Sequence, residues 1–325
     1  MQHSNCFEDY GGHRMRRVMI LAIALLFSCA LWGQATPKMR TRILTHMSNT
    51  EIEQYLKRND VIFVPVGTVE PHAEMPIDAE YVGPLAYAMK LAEEGDGLVL
   101  PGLPYFFPDA TIVGRGAVHV TPSEGTAYLL AIAGSLLRQG FRRQVYITGH
   151  APSWQTVSPL VRQFYDETNV PILYLESAMF HRPSSNTKPP NFADFAKMTY
   201  GAYAIAGRLD DIPVDLSEPV PEHPADPGIN RLFPVGPQSG AIGFYMSHYT
   251  DHIGPAKAVT AEQRAQWGKE GAEMIDESVK SIDIKSILQA LRDHDKFTQE
   301  HIIPQYGWMF SNPSVGEKSN DTHQH

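Results

Sequence analysis

The sequence predicts an α/β fold, a doubly wound and mostly parallel sheet flanked by helices on both faces. Three observations carry this expectation. Short apolar runs rich in β-branched residues stand at 61–66, 144–148 and 170–175, stretches with helical apolar spacing alternate with them, and Gly-bounded loops separate the two kinds.

Taken in order, Val61-Ile62-Phe63-Val64-Pro65-Val66 ends at Gly67 and reads as a strand buried on both faces. A polar loop follows, then a helix over residues 81–93 that stops at Glu94-Gly95. Thr121-Pro122-Ser123-Glu124 offers an N-cap Thr, Pro at N1 and Glu at N3, so a long helix should start there and run to Gly140. Residues 144–148 form the next strand, Gly149-His150 a turn, residues 156–166 a helix and residues 170–175 a further strand. Between 182 and 237 the chain is rich in Pro, Asn, Asp and Ser, and only 192–208 reads as helical; long irregular stretches of this kind often cover a site. Helices are expected again at 260–282, where Thr260-Ala261-Glu262-Gln263 suggests a second capping box, and at 284–294. The expected division is a leader over 1–35, one α/β domain over 36–310 and a polar tail over 311–325.

Composition narrows the function. A hydrophobic fraction of 43% and a charged fraction of 19% are those of a globular chain with a sizeable core. The formal net charge of −9, without a Lys/Arg cluster, argues against a nucleic-acid surface and favours a small polar substrate. Arg14, Arg16 and Arg17 precede an apolar run over 18–32 that closes on Gly33-Gln34-Ala35. That is the three-part pattern of a secretory signal, too short to favour a stable membrane span, so export to the periplasm or the extracellular space is expected. Leu26-Phe27-Ser28-Cys29 also has the outline of a lipobox, a minority alternative that would anchor the chain through Cys29. Cys6 and Cys29 are the only cysteines, so a metal in the mature domain must be held by oxygen and imidazole nitrogen.

Such donors cluster after two of the strands. Glu70-Pro71-His72 follows the first, with Asp78 and Glu80 on the same loop, and His150 ends another. Ligands of doubly wound sheets bind outside the carboxyl ends of the strands, so the two loops converge if their strands are neighbours. Carboxylates with imidazoles suit Zn²⁺ or Mn²⁺.

The run Val64-Pro65-Val66-Gly67-Thr68-Val69-Glu70-Pro71-His72, then Met75-Pro76, Gly140-Phe141-Arg142-Arg143 and Gly149-His150, resembles the creatininase (creatinine amidohydrolase) family over residues 61–166, with an echo at Val259-Thr260-Ala261-Glu262. The resemblance implies a commonly oligomeric α/β protein that uses one or two divalent ions to hydrolyse amide-type C–N bonds in small molecules. It also implies that Glu70, His72 and His150 are metal ligands. The family loop carries a metal-bridging Asp four residues after the Pro; here that position is Glu80, with Asp78 as the alternative. Ala73-Glu74 replaces a longer G-x-H, Pro152 stands two residues after His150, and residues 197–204 lie opposite the family's H-A-G-E-x-E-T-S segment with Tyr200 at the metal-binding Glu. The expected reaction is hydrolysis through a metal-bound water, with Glu74 and His119 as candidate general bases and Trp154 and Tyr200 as candidate pocket walls. Two alternatives stand beside it: a binding module that keeps the fold without catalysis, and a metal-dependent lyase or isomerase acting on a keto-sugar.

Overall fold

Four parallel strands form the sheet: β1 (Val61–Pro65), β2 (Leu98–Val99), β3 (Arg143–Thr148) and β4 (Leu173–Glu176), in the order β2-β1-β3-β4. The structure is a computed structural model describing residues 39–177, 192–214, 222–232, 243–252, 258 and 260–310. The described residues from Thr41 onward form one compact unit. The expected leader, Cys6, Cys29, Val259 and the polar tail lie outside the described residues.

The connections make the sheet doubly wound. From β1 the chain passes through α2 (Ala79–Glu94) to β2 at one edge. It then returns through α3 (Pro122–Gln139), past β1, to β3, and continues through α4 (Trp154–Thr168) to β4. Strand order therefore reverses between β1 and β3, which pair in register at Phe63–Val145 and Val64–Tyr146. A crevice at the carboxyl ends of these two strands is where such folds bind ligands.

Alternation along the strands divides the core. Val61, Phe63, Val99, Val145 and Ile147 face one cluster, built with Val82, Ala86 and Leu91 of α2 and with residues of α5 (Phe192–Ile205), α6 (Ala261–Lys280) and α7 (Ile284–Phe297). On the opposite face the fully buried Gln144 donates to the carbonyls of Ala133 on α3 and of Phe141, and accepts from the Tyr146 hydroxyl. A buried amide with its hydrogen bonds satisfied fixes α3 on that face without a desolvation penalty. The Thr126 hydroxyl then ties α3 to α4 through the Thr156 carbonyl at 3.0 Å.

The Thr121 capping box is present in full, and α3 ends on Gly140 at φ +105. At α6 the Thr260 hydroxyl accepts from the Gln263 N–H. Among the helices not foreseen is α1 (Asn49–Leu56), opened by a Ser48–Glu51 capping box. Strand β4 starts at Leu173 rather than 170, and α4 starts at Trp154, two residues earlier than its apolar spacing indicates. Helices α5 and α6 touch backbone to backbone: a Cβ on Gly271 would stand 1.8 Å from the Lys197 carbonyl oxygen, and one on Gly201 2.1 Å from the Gly271 carbonyl carbon. A near-continuous C-terminal arm follows α7, through a π-helical stretch (Thr298–Ile302) into α8 (Ile303–Phe310).

Candidate metal centre

Gly67 sets the entry to the site. A Cβ there would lie 2.4 Å from Tyr81 Cα and 2.7 Å from the Glu80 carbonyl oxygen, so only glycine lets the β1 loop pass against the first turn of α2. That close passage brings Glu80 beside the Glu70 loop. The loop is then turned back on itself by a Met75 N–H bond to the His72 carbonyl, with Ala73 at φ +50, and by a Glu70 N–H bond to the Ile77 carbonyl.

Glu70 is fully buried at the end of this loop. Its Oε2 accepts from the Thr111 hydroxyl at 2.7 Å. Its Oε1 has no hydrogen bond, yet three imidazole nitrogens surround it: His150 Nδ1 at 3.3 Å, His72 Nε2 at 3.6 Å and His252 Nδ1 at 3.6 Å. His72 Nε2 also lies 3.0 Å from Glu80 Oε1. One ligand atom from each of Glu70, His72, Glu80 and His252 falls within 4.8 Å of all the others.

Electrostatics follow from this crowding. Burial would raise the Glu70 pKa, but the imidazoles of His150, His72 and His252 overcome it and hold the carboxyl well below the usual carboxylate range. Burial would lower His72, and the carboxylates of Glu70 and Glu80 beside it reverse that, pushing it up to about 10. His150 is raised for the same reason, its burial outweighed by Glu70. His252 goes the other way, lowered first by burial and then by His72.

A divalent ion fits this donor set. Glu70 and Glu80 bring two negative charges into a largely buried site, and either protonated imidazoles or a dication neutralises them. Ligand atoms about 2.1 Å from a tetrahedral ion stand roughly 3.4 Å apart. His72 Nε2 stands 3.0 Å from Glu80 Oε1 and 3.6 Å from Glu70 Oε1, and these separations bracket that value. The buried Oε1 of Glu70 and Nε2 of His150, both without a hydrogen bond, are what a coordination site requires and a packed core avoids.

The structure thus brings Glu70 and His72 of the β1 loop together with Glu80 in the first turn of α2, whereas His150 approaches Glu70 Oε1 at 3.3 Å but falls outside the group within 4.8 Å. Asp78 is engaged elsewhere, accepting from the Tyr203 hydroxyl at 2.7 Å and from Arg208 Nη1 at 2.5 Å. His119 is exposed and lies against the Phe107 ring, and Glu74 is half-buried on the turn; neither belongs to the group within 4.8 Å. Trp154 is half-exposed, and Tyr200 is buried against Trp267. Sequence reasoning missed two residues. Thr111, on the turn Asp109–Ile112, has no motif to mark it. His252 belongs to His248-Tyr249-Thr250-Asp251-His252, whose paired histidines four residues apart were a readable metal signal.

A cavity of about 60 Å³ adjoins the cluster. His72 and Glu80 close one end, and Tyr87, Met198, Ala202 and Ile275 form its apolar wall.

Comparison with known proteins places this geometry in context. Residues 45–201 match the family model Creatininase, described as creatinine amidohydrolase. Among solved structures the chain is similar to a creatinine amidohydrolase (creatininase) at 21% identity and a TM-score of 0.49, over 81% of this chain and 98% of the other. It is also similar to a manganese creatininase at 18% identity and TM-score 0.47, and to a creatininase variant complexed with creatine at 18% and 0.46, each over 74% of this chain and 98% of the other. No functionally curated protein sequence matches it. Residues 45–201, which carry the sheet, Glu70, His72, Glu80 and His150, are thus the part of the chain that resembles the creatininase family.

Proposed function

We propose that the chain is a divalent-metal-dependent hydrolase that cleaves an amide-type C–N bond, or a related carbonyl derivative, in a small polar molecule. The observation that carries this reading is Glu70: a buried carboxylate whose Oε1 makes no hydrogen bond although three imidazole nitrogens lie 3.3 to 3.6 Å away. Glu70, His72, Glu80 and His150 would hold the ion, and oxygen with nitrogen donors suit Zn²⁺ or Mn²⁺. Such an ion supplies a Lewis acid that polarises a carbonyl and brings the pKa of water to about 7. Thr111 fixes the Glu70 carboxylate plane, so that Oε1 stays turned toward the imidazoles. Glu80 touches both His72 and the cavity, which positions its carboxylate to hold a proton during attack. The apolar wall of Met198, Ala202 and Ile275 keeps bulk water from that side.

The test compares wild type, His72→Ala and His150→Ala by metal analysis and by turnover of cyclic amides, formamides and oxidised sugars. Metal-dependent turnover lost in both variants supports the reading. A second reading, a binding module without catalysis, is favoured by the packing of Tyr200 into Trp267 where the resemblance implies a metal-binding Glu. Full metal occupancy with no turnover of any substrate would select it.

Export and self-association complete the proposal. No helix among the described residues is long and apolar enough to cross a membrane. N-terminal sequencing of the expressed protein should find residues 1 to about 35 removed; an intact cytosolic chain would refute export. A homo-oligomer is expected from the family resemblance, and light scattering that returns the mass of a monomer would refute it.

A further inference from the structure

We propose that His252 is itself a metal ligand, delivered by the segment 243–252, so that ion binding and docking of this segment onto the β1 loop are one event. The inference rests on the metal-centre reading and adds to it a donor 180 residues away in sequence from the loop that carries His72.

Four features of the structure converge on it. The His252 ring stands 4.0 Å from the His72 ring, centroid to centroid, and its Nδ1 lies 3.6 Å from the unbonded Glu70 Oε1. Its ligand atom is within 4.8 Å of those of Glu70, His72 and Glu80. The same Nδ1 is 3.1 Å from the Pro71 carbonyl oxygen. An Nδ1–H bond to a backbone carbonyl is the outer partner that fixes a metal-bound histidine in the tautomer whose Nε2 carries the free lone pair.

The rest of the segment is built to present that side chain. Its Met246 N–H bonds to the Ala110 carbonyl, on the turn that also supplies Thr111 to Glu70. Asp251 accepts from the His248 N–H at 2.9 Å and lies 2.6 Å from His223 Nε2, which stiffens the residue next to His252. Most residues of 243–252 are partly or fully exposed, so little apolar burial holds the segment in place. A coordinate bond through His252 would add an attachment to the β1 loop.

Two measurements on the full chain test this. In the first, Zn²⁺ affinity is measured by chelator competition for wild type, His72→Ala, His252→Ala and His248→Ala, with hydrogen exchange of 243–252 followed with and without Zn²⁺. His252→Ala should weaken binding at least 10- to 100-fold, the loss that removal of even an outer-shell partner causes, and should abolish Zn²⁺-dependent protection of the segment. His248→Ala should do neither. In the second, His252→Cys is made in a chain carrying Cys6→Ser and Cys29→Ser, which leaves residue 252 as the sole thiol. Loaded with Co²⁺, it should show a sulfur-to-cobalt charge-transfer band in the near ultraviolet.

Wild-type affinity in His252→Ala alongside loss in His72→Ala would overturn the inference while leaving the centre intact, as would bound Co²⁺ without the band. Failure of the wild-type chain to bind Zn²⁺ or Co²⁺ would overturn both readings.

Discussion

Replacing Thr111 by Val tests whether the outer partner of Glu70 sets the strength of the centre. The change is nearly isosteric and removes one hydroxyl that is 5% exposed. That hydroxyl has a single proton and two acceptors within reach, Glu70 Oε2 at 2.7 Å and the Pro108 carbonyl at 2.6 Å. The carboxylate is ionised, so it is the stronger acceptor and should hold the proton. Loss of a hydrogen bond to a charged group costs about 1.5–3 kcal/mol. In a chain of this size that corresponds to a drop of roughly 3–6 °C in Tm, at about 2 °C per kcal/mol. Part of the loss is common to the free and metal-bound protein and cancels from affinity. What remains is the freedom of the carboxylate to rotate, and outer-shell losses of this kind weaken metal binding about 10- to 100-fold, or about 1.4–2.7 kcal/mol. Thr111→Val should therefore lower both Tm and Zn²⁺ affinity, with affinity nearer the tenfold end because the imidazoles stay in place. Thr111→Ser keeps the hydroxyl and should recover most of each. Unchanged Tm and affinity in the Val variant would show that the proton sits on Pro108, and the reasoning would fail.

Other consequences concern the scaffold. Gly271→Ala forces a Cβ to 1.8 Å from the Lys197 carbonyl oxygen, so α5 and α6 must separate; a loss of at least 1–3 kcal/mol is expected in urea unfolding. Gly134→Ala in α3 meets only the Arg138 guanidinium at 3.4 Å and should instead stabilise by about 0.5–1 kcal/mol, so equal behaviour of the two variants would refute the close-packing account. Asp295, 5% exposed, accepts from Arg142 at 2.5 and 2.7 Å and lies 3.0 Å from Arg143. Burial would raise its pKa, but Arg142 first and then Arg143 hold it below the ordinary 3.8. The sign follows: the stabilisation is full above the unfolded pKa and is lost as pH falls through the lower folded pKa. Asp295→Asn should cost roughly 2–3 kcal/mol at pH 7, somewhat under the about 3–5 kcal/mol of a wholly buried pair because Arg142 is a third exposed. It should also flatten the acid limb below about pH 4, and thermal melts that stay parallel across that range would contradict it.

What the sequence disclosed was what local chemistry dictates. The apolar run at 61–66 and the Thr121 capping box each carry their signal within a few residues, and both elements are where that signal puts them. Convergence of the Glu70 and His150 loops was also legible, because both follow strands and the fold class fixes which end of the sheet they share. The equally local Ser48-x-x-Glu51 box, followed by Ile52, Tyr55 and Leu56 at helical spacing, opens a helix that the sequence reading does not include. Strand β2 is two residues long and gains its place from pairing with β1, which no window of sequence reveals. The choice between Asp78 and Glu80 depended on rotation at the start of α2: Asp78 turns to Tyr203 and Arg208, while Glu80 turns to His72. His252 depends on a chain path across 180 residues, and only its spacing from His248 hinted at it.

The resemblance and the structure part company at α5. Where the family segment implies a metal-binding Glu, Tyr200 is 1% exposed, accepts from the Ala258 N–H at 3.0 Å and stands edge-on to Trp267 at 5.2 Å. The side chains that α5 turns toward the cavity include Met198, Thr199 and Ala202, none of which is a carboxylate, imidazole or thiolate. The helix has instead been committed to packing: Gly201 meets Gly271 with backbones in contact, and a helix held that closely has little freedom to rotate a different residue toward the ion. The metal donors then have to come from elsewhere. On the proposed reading the β1 loop offers Glu70 and His72, the first turn of α2 offers Glu80, the loop after β3 offers His150, and the segment 243–252 brings His252 toward the same carboxylate oxygen. A cavity of about 60 Å³ is far smaller than the roughly 300 Å³ at which small-molecule sites begin. Entry of a substrate there would require the cavity walls on α2 and α5, which carry Glu80, Tyr87, Met198 and Ala202, to part.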